Sequence, residues 1–252
     1  MQNMKETLET LYSHVSVREY EDRKVEKETL DRILKAACCG STMGNMQLFS
    51  IIVTVDEEMK QQLAPYHFNQ PMATKAPLML TFCADLHRFD RYCELRDAET
   101  DSYGNLQGYQ WAVTDALIAA QNACVAAEAC GLGLCWLGTI TYNVKDFVRI
   151  LKLPKHVIPV ACITMGYPKH KPALTRKLPV QTMVHREVYR DYDRERIDEA
   201  YREIENSEET KKLLEENGLP NLAQIFTKKR YVKKDNEFFS TVLAEALKEQ
   251  GF

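Results

Sequence analysis

The chain has 252 residues, enough for one large domain or two small ones with a substantial buried core. Its 33 basic and 36 acidic side chains leave a net charge of −3, without the basic excess that nucleic-acid binding usually shows. No apolar run approaches the roughly 20 residues that cross a bilayer, and the N-terminus lacks the charged-then-apolar layout of a secretory signal. A cytoplasmic protein with no nucleic-acid or membrane partner is the expectation.

Taken in chain order, Leu8, Leu11, Tyr12 and Val15 recur at helical spacing, as do Leu30, Ile33, Leu34, Ala37 and Cys38. Residues 50–55 are β-branched and bounded by loop residues, which predicts a buried strand. A short polar helix over 57–65 and a second strand within 77–86 follow. Residues 87–110 are rich in charge, Tyr and Gly and read as irregular. The longest helical pattern runs over 111–130, closed by Gly131. Its stripe of Ala116, Ala120, Ala123, Ala127 and Cys130 lets another helix approach closely. Strands are expected at 134–137 and 157–165, with a helix over 144–151 between them. After Pro179 the composition turns polar, and helices over 193–204, 208–216 and 237–249 form a tail with little core of its own.

The eight cysteines contain no C-x-x-C pair, and the six histidines show no matching ligand spacing, so no metal site is expected. Most sit among Ala, Val, Leu and Ile, where a free thiol is a small apolar filler. No G-x-G-x-x-G follows a strand, and Gly131-Leu132-Gly133 lies after a helix, the wrong side for a dinucleotide fingerprint.

The chemistry-bearing residues fall in four places. In His14-Val15-Ser16-Val17-Arg18, Ser16 and Arg18 project from one face of an extended segment. Arg suits bidentate phosphate contact, and Ser adds a neutral hydrogen bond. The loop from Gly40 to Gln47 offers hydroxyls on Ser41 and Thr42 and amides on Asn45 and Gln47, able to meet the edge of a pyrimidine-like ring. In Cys135-Trp136-Leu137-Gly138-Thr139, Gly138 leaves room for backbone to lie against a planar ligand. A basic cluster, Arg176-Lys177, follows the last strand. Each also has a plain reading as loop or surface.

In series these segments resemble the nitroreductase family. The resemblance rests on His14-x-Ser16-x-Arg18 between two helices, the second ending in the Ser/Asn/Gln loop. It continues through Asp115-Ala-Leu-Ile-Ala-Ala-Gln-Asn-Ala123, Ala126-Ala-Glu-Ala-Cys-Gly-Leu-Gly133, Leu151-Lys-Leu-Pro154 and Gly166-Tyr-Pro168. Arg176-Lys177-Leu178-Pro179 and the closing Leu247-Lys-Glu-Gln-Gly-Phe252 look like the larger NADPH-preferring branch, the oxygen-insensitive nitroreductases and flavin reductases. The match covers essentially the whole chain.

The resemblance implies an α+β fold: a central mixed, mostly antiparallel sheet flanked by helices, with a helical C-terminal extension, in an intertwined homodimer. It implies a core over 1–180 and an extension over 181–252 that makes dimer or lid contacts. FMN is the implied cofactor and NADPH or NADH the electron donor, in ping-pong hydride transfer to a small-molecule acceptor such as a nitroaromatic, a quinone or free flavin. His14, Val15, Ser16 and Arg18 match positions at the FMN phosphate and ribityl chain. Ser41, Thr42 and Asn45 match the loop along the flavin, and Gln70 an amide near the ring. Leu137, Gly138 and Thr139 match the segment whose backbone N–H groups face N5 and O4; no side chain is needed as an acid or base. Arg176 and Lys177 match phosphate contacts, and Lys228, Lys229 and Arg230 could meet the 2′-phosphate of NADPH. Three positions depart from the branch: Val15 for an Arg, Thr139 for a Gly and Thr175 for a Lys. On these departures Thr139 is expected to narrow the space over the flavin. A flavin-binding protein of this fold with little turnover, or a specialised reductase, stands as the alternative reading.

Overall fold

The computed structural model describes residues 2–100 and 104–252. They divide into two compact units: the chain up to Ala173 together with Phe239–Phe252, and Leu174–Phe238.

The first unit is built on a four-stranded sheet. Its strands are β1 (Phe49–Thr54), β2 (Leu78–Asp85), β3 (Gly133–Trp136) and β4 (Val157–Gly166), in the spatial order β1-β2-β4-β3. All three ladders are antiparallel. The central strand β2 is buried along its whole length, as its unbroken run of apolar and small residues requires. Outside β3 the segment after the first helix adds a parallel bridge, Ser16 to Leu134, with Val17 N–H donating to Leu134 O at 2.8 Å. The sheet is therefore mixed and mostly antiparallel, as the resemblance implies. Gly133 makes that approach possible, because a Cβ there would lie 2.6 Å from Val17 Cβ.

The helices are α1 (Gln2–Tyr12), α2 (Lys27–Ala37), α3 (Glu57–Leu63), α4 (Pro71–Lys75), α5 (His87–Glu94), α6 (Leu106–Ala129) and α7 (Val144–Ile150). Helix α6 is the backbone of the core. Its Ala116, Ala119, Ala120, Ala123 and Ala127 are buried against Ile33 and Ala37 of α2 and Leu78, Leu80 and Phe82 of β2. The stripe of small residues thus seats α2, whose terminal Ala36 O accepts from Asn122 Nδ2 at 3.3 Å. Complete burial of Ile33 and Phe82 contributes about 1.5–3 kcal/mol each before chain entropy is set against it.

Two expectations along this stretch are corrected. Residues 87–94 are helical, not irregular: Asp85 Oδ1 accepts the N–H of Arg88 at 3.0 Å and fixes the first turn. Helix α6 starts at Leu106, not Trp111, because Asn105 Oδ1 caps it by accepting from Gln107 and Gly108 N–H at 3.0 and 3.1 Å.

The second unit holds α8 (Val180–Met183), α9 (Arg194–Glu205), α10 (Glu208–Asn217), α11 (Leu222–Ile225) and the first residues of α12 (Lys233–Gln250). Asp193, Ser207 and Asn221 cap α9, α10 and α11 with side-chain acceptors. The end of α12 belongs to the first unit, where Gln250 Nε2 donates to Pro154 O at 3.1 Å and Val157 O at 2.6 Å. All eight cysteines are free; Cys83, Cys93, Cys124, Cys135 and Cys162 are buried, whereas Cys38 and Cys39 are exposed. Burial pushes the Cys124 and Cys162 thiols up to about 12, so they stay protonated. No helix among the described residues is long and apolar enough to cross a membrane.

Candidate functional site

The segment from His14 to Arg18 is pinned from three sides. Its backbone bridges to β3, and buried Tyr20 closes it, the phenol lying 2.9 Å from Val17 O and 2.8 Å from Thr164 Oγ1 on β4. His14 Nδ1 lies 2.7 Å from Glu128 Oε1 near the end of α6, which leaves Nε2 as the ring nitrogen open to a ligand. Alternation along the extended backbone then sorts the side chains. Val15 and Val17 are buried in the core with Leu137 and Met79. Ser16 lies on the other face, half-buried along the bridge to β3, and Arg18 is exposed. Arg18 reaches the Cys135 thiol on β3, and no ion pair engages its guanidinium among the described residues. Its charge is thus uncommitted. Val15, in contrast, offers no side chain to a ligand.

The same edge carries Gly138. Leaving β3, Leu137 N–H donates to Cys162 O at 2.8 Å and the Leu137 side chain is buried. Gly138 then stands exposed at the head of a short 3-10 turn, Gly138–Thr141, and a Cβ built on it would meet nothing within 4 Å. There is open space for a flat ligand against this peptide. Thr139 turns the other way. It is buried, and its Oγ1 lies 2.7 Å from Nδ1 of His67. The expectation that Thr139 narrows the space over a ring is therefore corrected, because its side chain is directed into the core. Gln70 is half-buried just before α4 and close in sequence to His67.

The Ser41–Gln47 loop lies elsewhere. It leads into β1, at the far edge of the sheet from β3, about 14 Å away across three strand spacings. The sequence pattern identifies the loop without showing what holds it. Asp115, 1% exposed on α6, accepts Met43 N–H at 2.8 Å on Oδ1 and Leu48 N–H at 2.9 Å on Oδ2. Arg88 of α5 donates to Gln47 O from the other side. Gly44, Asn45 and Gln47 all take left-handed φ values of 55–57°, a conformation in which Gly and Asn are tolerated. The result is a well-anchored loop with Ser41 and Asn45 on its surface. Both anchors, Asp115 and Glu128, sit on α6, about 20 Å apart along its axis.

The remaining candidates belong to the second unit. Arg176 is exposed and its Nη1 donates to Glu203 O at 3.2 Å; Lys177 is also at the surface. Lys228, Lys229 and Arg230 fall in a π-helical turn, Phe226–Arg230, with Lys228 Nζ 2.7 Å from Gln224 Oε1. The pairing of Asp115, Glu128 and His67 with site segments escapes a reading of the sequence. Asp115 and Glu128 are visible there only as polar interruptions of an apolar helix, and His67 gives no signal.

Residues 11–167 match the model of the nitroreductase family. An FMN reductase (NADPH) of Bacillus subtilis is 33% identical over 187 residues, 74% of this chain and 75% of the relative. An oxygen-insensitive NADPH nitroreductase of Salmonella typhimurium is 33% identical over 190 residues, 75% of this chain and 77% of the relative. A solved structure from Bacteroides fragilis superposes with a TM-score of 0.94 at 43% identity, covering 96% of this chain and 98% of that one.

Proposed function

The chain belongs to the nitroreductase family, and from that premise we propose how its own residues serve an FMN-dependent NAD(P)H oxidoreductase. The activity class follows the relatives, which are FMN reductases and NADPH nitroreductases. What supports the siting is one edge of one sheet: the uncommitted Arg18 guanidinium, Ser16 on the bridge to β3 and the open Gly138 peptide stand along β3.

These residues fit FMN. Arg18 and Ser16 would hold the phosphate, by a charge-assisted and a neutral hydrogen bond respectively. His14 Nε2 would add a third polar contact, oriented by Glu128. Gly138, with nothing in front of it, would take the ring, and the Gly138 and Thr139 N–H groups would stabilise charge developing on its N5 and O4 side. Bound there, FMN supplies the hydride chemistry, and the protein supplies binding, orientation and electrostatics. Gln70 stands ready for the ring's polar edge. The second unit carries cations of its own, Arg176, Lys177, Lys228, Lys229 and Arg230, of a kind that suits phosphate groups.

The Ser41–Asn45 loop lies at the opposite edge of its own sheet from Gly138. A ring seated at Gly138 is then met by this loop from a second copy of the chain, so the reading includes a homodimer with two interfacial sites. The acceptor is a small flat oxidant, a nitroaromatic, a quinone or free flavin. Anaerobic titration of the apoprotein with FMN, followed by NADPH oxidation against these three acceptors, tests the reading. Light scattering on the same sample tests the dimer. Failure of the protein to take up FMN contradicts the siting, and a monomer that binds FMN fully contradicts the loop's role.

A further inference from the structure

His67 is wholly buried, yet among the described residues only one of its two ring nitrogens has a partner. Nδ1 lies 2.7 Å from Thr139 Oγ1, and Nε2 has none. The ring packs on Phe147 at 4.7 Å between centroids. Desolvation lowers its pKa to about 4, so the imidazole is neutral near pH 7 and carries one N–H. A buried N–H without an acceptor is the rarer defect, so the proton belongs on Nδ1, donated to Thr139, and Nε2 keeps a bare lone pair.

The contact joins two chain segments that meet again close by. Asn143 Nδ2, on the far side of the Gly138–Thr141 turn, donates to Tyr66 O at 2.8 Å. Tyr66-His67 and Thr139–Asn143 are thus bolted together at two points. Directly after His67, Phe68 and Asn69 adopt left-handed φ values of 54° and 52°, and they deliver the chain to Gln70. A bulky residue keeps that conformation only where its surroundings hold it. One imidazole therefore ties together the open Gly138-Thr139 peptide and the approach to Gln70.

We propose that His67 is a positioning residue of the flavin site: by holding the Thr139 side chain in the core, it aims the Gly138-Thr139 N–H groups at the ring. It touches neither cofactor nor substrate and acts only through Thr139. The inference rests on the siting of FMN at Gly138 given above. It also accounts for Thr139 standing where the family resemblance implies Gly, because a hydroxyl there has a fixed partner and a glycine would have none.

The test uses Thr139→Val, which keeps the side chain's shape and removes its hydroxyl, beside Thr139→Ser, which restores the hydroxyl. Three quantities are read: FMN affinity of the apoprotein by fluorescence, the midpoint potential of bound FMN, and the His67 ring 15N shifts in the apoprotein. Thr139→Val is expected to weaken FMN binding about tenfold, the size of one net hydrogen bond. It should also move the potential more negative and shift the His67 Nδ1 signal, with Thr139→Ser near wild type in all three. Should Thr139→Val fail to fold, His67→Leu against His67→Asn, whose amide nitrogen replaces Nδ1, makes the same comparison. Wild-type affinity and potential in Thr139→Val, or in His67→Leu, overturn the inference and leave the flavin siting intact. A wild-type protein that takes up no FMN overturns both.

Discussion

Asp115 accepts the backbone N–H of Met43 at 2.8 Å from a helix that is otherwise apolar at this depth. Its second oxygen takes Leu48 N–H, so one buried carboxylate staples both ends of the Met43–Leu48 loop. Asp115→Asn leaves one acceptor for two donors and sets an amide N–H against one of them. A loss of about 2–3 kcal/mol in urea unfolding is expected, together with weaker FMN binding because the loop loses its shape. A loss below about 0.5 kcal/mol, the range of an ordinary surface substitution, would show the staple to be dispensable.

Arg18 and Val15 are expected to behave oppositely. Arg18→Ala removes an exposed cation with no ion-pair partner among the described residues, so stability should hold while FMN affinity falls about 10- to 100-fold. Val15→Arg restores the family's second cation on paper but forces a guanidinium into the core beside Leu137 and Met79. It is expected to destabilise the protein by roughly 3 kcal/mol or more without tightening FMN. Paired melting curves and FMN titrations distinguish the two. Tighter FMN binding in a stable Val15→Arg protein would contradict the placement of that side chain.

Most of the fold is legible in the sequence because its signals are local. The β-branched run at 50–55 and the apolar run at 157–165 each have only one good structural use. Helix α5 escapes notice because its apolar face is short and interrupted by Asp90, itself buried. The first turn of α6 does too, because Leu106 is exposed and only the Asn105 cap marks the start. At the site, Ser16, Arg18 and Gly138 can be picked out by type and spacing. That Val15 points inward, and that Thr139 does too, follows from the bridge to β3 and from His67, contacts between residues far apart in the chain. No single-sequence pattern carries them.

The depressed His67 pKa has a consequence for acid stability. The folded protein keeps the ring neutral down to about pH 4, while the unfolded chain protonates it near its ordinary value of 6.5. Burial is the only cause, with no charged neighbour contributing. The contribution is therefore fully present above about pH 6.5 and is lost as the pH falls through about 4. It amounts to roughly 3 kcal/mol in all. Urea unfolding of wild type and the His67→Asn variant between pH 7.5 and 4.5 measures it. The wild-type stability should fall more steeply with acid, because the variant has no imidazole to protonate on unfolding. Parallel curves would contradict the assignment.

Gly138 offers a substitution that separates binding from folding. A Cβ there meets no atom within 4 Å, and the residue is exposed. Gly138→Val should leave stability within about 1 kcal/mol while placing two methyls where the ring is proposed to lie. FMN affinity is expected to drop at least about tenfold, read by fluorescence titration beside a melting curve. Unchanged affinity would move the ring away from this peptide.

The most direct test of the flavin siting and its chemistry is the absorbance spectrum of the purified protein, reconstituted with FMN and recorded before and after anaerobic NADPH. Flavin bands that the protein retains through gel filtration and that bleach on NADPH addition are the expected result. A protein that emerges colourless after incubation with FMN, or one whose bound flavin NADPH leaves oxidised, would contradict it.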